Sequence, residues 1–217
     1  MPKISEEKKK QRQMDILKTA LGLFSKKGYY ATSIDDITRE AGISKGLVYN
    51  YFKSKEEIFF ELAEHWNDFI NSPSLGDTLS QVISEDMTLT EKLLCVWDES
   101  VNEWTEDNLN FARIKFEFWL EASKNELLRD KMKENANTSL GIVEEIIYKT
   151  KPNIAPEIVE AFSRLWWSQI DGLVAYFVSY NLLPPKREMT YIRNIILHMC
   201  TYLDAVSYTH LRAHETG

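Results

Sequence analysis

Lys45, Tyr49 and Asn50 place an ammonium, a phenol and a carboxamide within one short stretch, the types of group that hold phosphate oxygens and meet base edges. Ser44 precedes them as a helix cap, and Gly46 and Leu47 complete the first turn. Val48 and Phe52 are four residues apart and point the other way, toward a core. A helix fits the DNA major groove, and its first turn presents side chains to base edges there. Lys45, Leu47 and Asn50 are therefore expected to face bases. Tyr49, with Thr32 or Ser33, is expected to hold phosphates and set register. A plain helical hairpin whose polar residues face water fits the same pattern, since helix pairs turned by glycine are common.

Those side chains need a second element to hold them. The run SIDDITREAGISKGLVYNYF, Ser33 to Phe52, reads as two short helices and a tight turn. Thr32 and Ser33 can each cap the first helix, and Asp35 and Asp36 lie in its first turn, where the helix dipole favours carboxylates. Ile34, Ile37 and Ala41 share one face, Gly42 gives the backbone freedom for a sharp exit, and Ile43 plugs the corner.

The longer run ILKTALGLFSKKGYYATSIDDITREAGISKGLVYNYFKSKEEIF resembles the N-terminal domain of the TetR (tetracycline repressor-like) family of bacterial transcriptional regulators. The segments "FSKKGYYATSIDDIT", "AGISKGLVYNYF" and "KSKEEI" carry the resemblance, which fades beyond Ile58. It implies a three-helix DNA-binding head, a phosphate contact by Lys55, a small-molecule pocket among the fourth to eighth helices, and dimerisation through the last two. It also implies a homodimer on a double-stranded, pseudo-palindromic operator, most often as a repressor released by a small-molecule effector. Leu47 departs from the family, which usually carries a small or hydroxylated residue there.

Composition agrees with a chain that touches phosphate at one end. The net charge of 217 residues is −7. Residues 1–55 nevertheless hold 12 Lys and Arg against 6 Asp and Glu, leaving 14 basic and 27 acidic residues for the remainder. The basic start, with Lys8, Lys9, Lys10 and Arg12, reads equally as a phosphate-reaching arm and as a solvated helix start. No apolar run reaches ~18 residues, and MPKISEEKKKQRQ lacks the apolar core of a signal peptide, so a cytoplasmic protein with no membrane partner is expected. Cys95 and Cys200 lie in helical patterns and read as reduced core residues.

The rest reads as a helical body. Helices are expected at Glu6–Lys27, from Lys55 to about Asn71, from Thr88 or Thr90 through Trp104, at Leu109–Ala122, Asn125–Thr150, Pro156–Asn181 and Arg187–Ala205. Ser72 to Asp86, with Pro73 and Gly76, is expected to be a loop, and Glu106 to Asn108 a break. The expected fold is all-α, with about nine helices: a helix-turn-helix head at 1–54, a ligand-sensing and dimerising bundle at 55–206, and a non-native tail at 207–217.

No catalytic or cofactor motif is present: there is no Gly-rich phosphate loop, HExxH, CxxC or GxSxG, so neither an enzyme nor a cofactor is expected. His210 and His214 share a spacing that suits a metal, but they lie in the doubtful tail, and no metal site is expected. Trp97, Trp104, Phe111, Phe116, Trp119 and Trp166 could wall a pocket, with Glu117 or Asp171 meeting a cation or hydroxyl, though core packing explains any one of them as well. The ligand classes considered are a drug, a fatty acyl compound or a metabolite. Trp167, Val174, Phe177, Ile192, Ile196 and Met199 are the candidate dimer interface. The competing functional class is a helical module that senses a small molecule or protein without reading DNA sequence.

Overall fold

The computed structural model describes residues 6–65, 75–101 and 105–205, the side chains of 106–108 excepted. Among the described residues there are ten α-helices and no strand. They are α1 (Glu6–Lys27), α2 (Ile34–Ala41), α3 (Lys45–Tyr49), α4 (Lys55–Glu64), α5 (Leu75–Val82), α6 (Leu89–Val101), α7 (Glu106–Ala122), α8 (Glu126–Thr150), α9 (Pro156–Tyr180) and α10 (Lys186–Ala205). Two compact units result: Met1–Asn71 with Asn110–Lys133, and Ser72–Leu109 with Glu134–Gly217.

The first unit packs α1 to α4 with the residues of α7 and α8 that belong to it. Ile16, Leu17, Ala20, Leu21 and Phe24 bury one stripe of α1 against Ile37, Val48, Phe52, Ile58 and Phe59. Phe59 stands at the centre of the aromatic packing, 4.2 Å from Tyr29, 4.4 Å from Phe118 and 5.9 Å from Phe24 between ring centroids. Burial of each such side chain contributes about 1.5–3 kcal/mol.

The second unit buries Leu93, Val96 and Trp97 of α6 with Val159, Phe162, Trp166 and Ile170 of α9 and Ile196, Cys200 and Leu203 of α10. Arg193 of α10 meets Asp98 of α6 with two parallel hydrogen bonds of 2.6 and 2.7 Å, a fork geometry that fixes the two helices in register.

Three local expectations are corrected. The stretch expected as a loop contains α5, because Leu75, Leu79 and Ile83 recur every four residues and bury one face, while Pro73 lies ahead of the helix and Gly76 only in its first turn. Glu106 to Asn108 start α7 instead of breaking a helix, as acidic residues in a first turn can. The helix of Lys45 ends at Tyr49, three residues before Phe52. The all-α fold agrees with expectation, with ten helices among the described residues where about nine are expected. Residues 66–71 of the expected fourth helix, Trp104 and the tail lie outside the described residues.

Candidate nucleic-acid interface

Local caps build the helix-turn-helix. Ser33 starts α2: its Oγ accepts from the Asp36 N–H at 3.1 Å, while the Asp36 carboxylate accepts from the Ser33 N–H at 2.9 Å. The Ser33 N–H and hydroxyl, both donating to the Asp36 carboxylate, hold it well below the usual carboxylate range, with the Lys27 ammonium 3.2 Å away. Gly42 ends α2 with φ +64°, and the Ile43 N–H returns to the Thr38 carbonyl at 3.0 Å. Ser44 Oγ then accepts from the Leu47 N–H at 3.2 Å and starts α3. Ser54 does the same for Glu57 at the start of α4.

The outer face of α3 is open. Ser44, Lys45, Gly46, Tyr49 and Asn50 are exposed, Leu47 is half-buried and Val48 is buried. Tyr49 exposes 47% of its surface, and a Cβ placed at Gly46 would meet nothing within 4 Å. Lys45 forms an ion pair with Asp35 at 2.7 Å. Both partners are exposed, so this is a weak pair, and one that an arriving phosphate can displace.

Three expected DNA-contact groups have partners inside the protein. Thr32 is buried and its hydroxyl donates to the Gly28 carbonyl at 2.8 Å. Ser33 is exposed, but its hydroxyl is engaged in the cap. Lys55 Nζ donates to the carbonyls of Tyr29 (2.7 Å), Thr32 (2.8 Å) and Tyr30 (3.4 Å), and sits 4.3 Å from the Tyr29 ring centroid. It thereby satisfies carbonyls of the bend between α1 and α2 that have no helical partner.

Glu117 of α7 holds the same bend from its other polar side. Its carboxylate accepts the Tyr29 N–H at 2.9 and 3.2 Å, and the Tyr30 hydroxyl donates to Glu121 one turn on. Burial pushes the Glu117 carboxyl up, opposed by the Tyr29 N–H and Lys55. Burial also pushes the Tyr29 phenol up to about 12. Sequence reading offered Glu117 only as a ligand contact. Its real partner lies 88 residues away, a distance at which no periodicity operates.

The aromatic candidates fall into separate groups. Trp97 and Trp166 are buried together in the second unit, centroids 6.3 Å apart. Phe116 and Trp119 pair at 5.1 Å, and Phe111 packs on the first core. Asp171 is half-buried on α9 in the second unit. Of the interface candidates, Phe177 and Ile196 are buried inside the protein, and Trp167, Val174, Ile192 and Met199 are half-buried against the second core. The exposed apolar side chains of α9 and α10 are different ones: Leu165, Tyr176, Tyr180, Tyr191, Ile195 and Tyr202. Among the described residues no helix is long and apolar enough to cross a membrane, and no three His, Cys, Asp or Glu side chains could hold a metal.

Residues 16–62 match the model of a family described as bacterial regulatory proteins, tetR family. The fatty acid metabolism regulator protein of Bacillus subtilis is 30% identical over 195 residues, spanning 88% of this chain and 94% of that one. Matches to other curated regulators cover less of them: 58% of the B. subtilis HTH-type regulator YfiR, at 32% identity over 58% of this chain, and 29% of YuxN. Among solved structures, a Rhodococcus transcriptional regulator superposes with a TM-score of 0.72 at 17% identity, covering 90% of this chain and 99% of that one. B. subtilis FadR in complex with stearoyl-CoA superposes with a TM-score of 0.60 at 23% identity, covering 86% and 96%. At these identities the structural likeness speaks for the fold alone.

Proposed function

The chain belongs to the tetR family of bacterial regulatory proteins, and from that premise we propose that it is a ligand-responsive repressor binding a pseudo-palindromic operator as a homodimer in the cytoplasm. The observation that carries the reading is the outer face of α3, where Lys45, Gly46, Tyr49 and Asn50 are exposed on a helix capped at Ser44. Gly46 leaves room for close approach of a backbone, Tyr49 and Lys45 suit phosphates, and Asn50 and Leu47 suit base edges.

Residues 1–54 supply the DNA contacts in this reading, and residues 55–206 sense and dimerise. The exposed Leu165, Tyr176, Ile195 and Tyr202 of α9 and α10 are the apolar surface a second copy would cover. The effector is an acyl compound, supported by the B. subtilis fatty acid regulator and by the stearoyl-CoA named for the FadR structure. Binding releases DNA only in so far as the effector prefers the non-binding state.

Selection of random duplexes by the purified protein at two salt concentrations tests this reading. The expected result is an enriched palindrome with half-sites about 34–36 Å apart and an affinity that falls steeply with salt. Tyr49→Phe should weaken that binding about tenfold without changing the melting temperature, as loss of one charge-assisted hydrogen bond would. Absence of any enriched sequence from a folded dimer would favour the sensing-module alternative.

A further inference from the structure

Trp167 donates its indole N–H to the Ser139 carbonyl at 2.8 Å, as a buried indole ordinarily does. Its neighbour does not. Trp166 Nε1 and Ser163 Oγ are fully buried and, among the described residues, have no hydrogen-bond partner. They are three residues apart on α9, so both lie on one face of that helix. Buried polar atoms in folded proteins are nearly always paired, and two orphans side by side call for a shared partner.

Their surroundings describe that partner. Trp166 stacks on Phe162 at 5.8 Å and meets the edge of Trp97 at 6.3 Å, so the site is otherwise apolar. Trp97 also lines a cleft of about 440 Å³ together with Met189, Lys186 and Arg193. Arg193 is neutralised by Asp98, whereas the exposed Lys186 ammonium makes no ion pair among the described residues. Trp166, one of the two orphans, thus packs on Trp97, which in turn lines a cleft that carries an unneutralised cation.

We propose that Ser163 and Trp166 bind the carbonyl or carboxylate oxygen of the acyl effector, reached through this cleft past Trp97. One oxygen has the two lone pairs that an indole N–H and a hydroxyl can fill together. The apolar chain lies among Phe162 and Trp97, and any anionic head meets Lys186. The inference rests on the acyl-effector reading above and adds the atoms that hold the effector.

The test is calorimetric titration of the full chain with stearoyl-CoA and, separately, with stearate, for the wild type, Ser163→Ala, Trp166→Phe and Lys186→Ala. Ligand-free melting temperatures are measured in parallel. Ser163→Ala, which removes one oxygen and leaves the packing, is expected to bind both ligands about tenfold more weakly. Its ligand-free melting temperature should be unchanged or higher, because an orphan hydroxyl is gone. Trp166→Phe should behave likewise in binding. Lys186→Ala should weaken stearoyl-CoA more than stearate if the head group is the coenzyme. Wild type that binds neither ligand would overturn the acyl reading and this site with it. Wild type that binds, with Ser163→Ala and Trp166→Phe binding equally well, would overturn the site alone. A lowered ligand-free melting temperature with unchanged affinity would assign the pair to a buried water and overturn the site.

Discussion

In the first unit α2, α3 and α4 each begin at a serine whose hydroxyl accepts an N–H from the helix it starts, and the bend before α2 is held by Lys55 and Glu117. In the second unit α9 begins at Pro156 with no side-chain cap, and two of its buried polar atoms are without partners among the described residues. The two units also differ at their surfaces. Apart from Tyr49, the exposed outer face of α3 is small and polar, whereas α9 and α10 expose a series of tyrosines with Leu165 and Ile195. The first arrangement is complete by itself and suits a rigid reading head. The second has polar and apolar groups still to be matched, as suits an element that receives a ligand and a partner.

The sharpest way to break that comparison uses neighbours on α10. Ile196 is 2% exposed and Ile195 is 65% exposed. Ile196→Glu buries an unpaired charge and should cost about 3–5 kcal/mol, seen as loss of the cooperative thermal transition. Ile195→Glu should keep its fold and sediment as a monomer; a dimer surviving that change would place the interface on another surface.

Lys55→Met comes next. It removes the ammonium donor shared by the carbonyls of Tyr29, Tyr30 and Thr32 and should cost about 1.5–3 kcal/mol, with weaker operator binding as the bend relaxes. A fall in affinity at unchanged stability would instead make Lys55 a phosphate contact, as the family resemblance implies.

Gly28 and Gly42 separate local from tertiary effects within the head. Both have positive φ, +84° and +64°, so Ala at either should cost about 1–2 kcal/mol. A Cβ at Gly28 would also stand 3.0 Å from Glu117 Oε1, while at Gly42 it meets nothing. Gly28→Ala should therefore melt lower than Gly42→Ala, and the gap should narrow in a Glu117→Ser background.

The smallest effect is on pH. Asp36 has a depressed carboxyl, so its stabilisation is present above the unfolded value near 3.8 and fades as pH falls below it. Glu117 has a raised carboxyl, so its contribution is present below 4.5 and is lost as pH rises through the folded value. Denaturant melts between pH 3 and 7 should show Asp36→Asn flattening the acid limb. Glu117→Gln should flatten the slope just above it; identical slopes in all three proteins would remove both roles.

Much of the head was legible because its determinants are local. Ser33, Gly42 and Ser44 are named as caps and turns by residue type, and each does that work within four residues of chain. α5 was missed because Pro73 and Gly76 outweighed a short apolar repeat that only burial of Leu79 makes decisive. The burial of single positions on α10 shows the same limit: its sequence does not tell Ile196, buried against α6 and α9, from its neighbour Ile195, which is exposed.

The sequence by itself determined the helix-turn-helix, the basic head and the family, because caps, glycine turns and charge act over a few residues and need no partner. Tertiary structure alone decided that Lys55 clasps carbonyls, that Glu117 holds the Tyr29 N–H, and that Ser163 and Trp166 stand buried and unpaired among the described residues. Those facts depend on which side chain arrives from elsewhere in the chain, and hydrogen bonding at such range is fixed only when the whole core has packed.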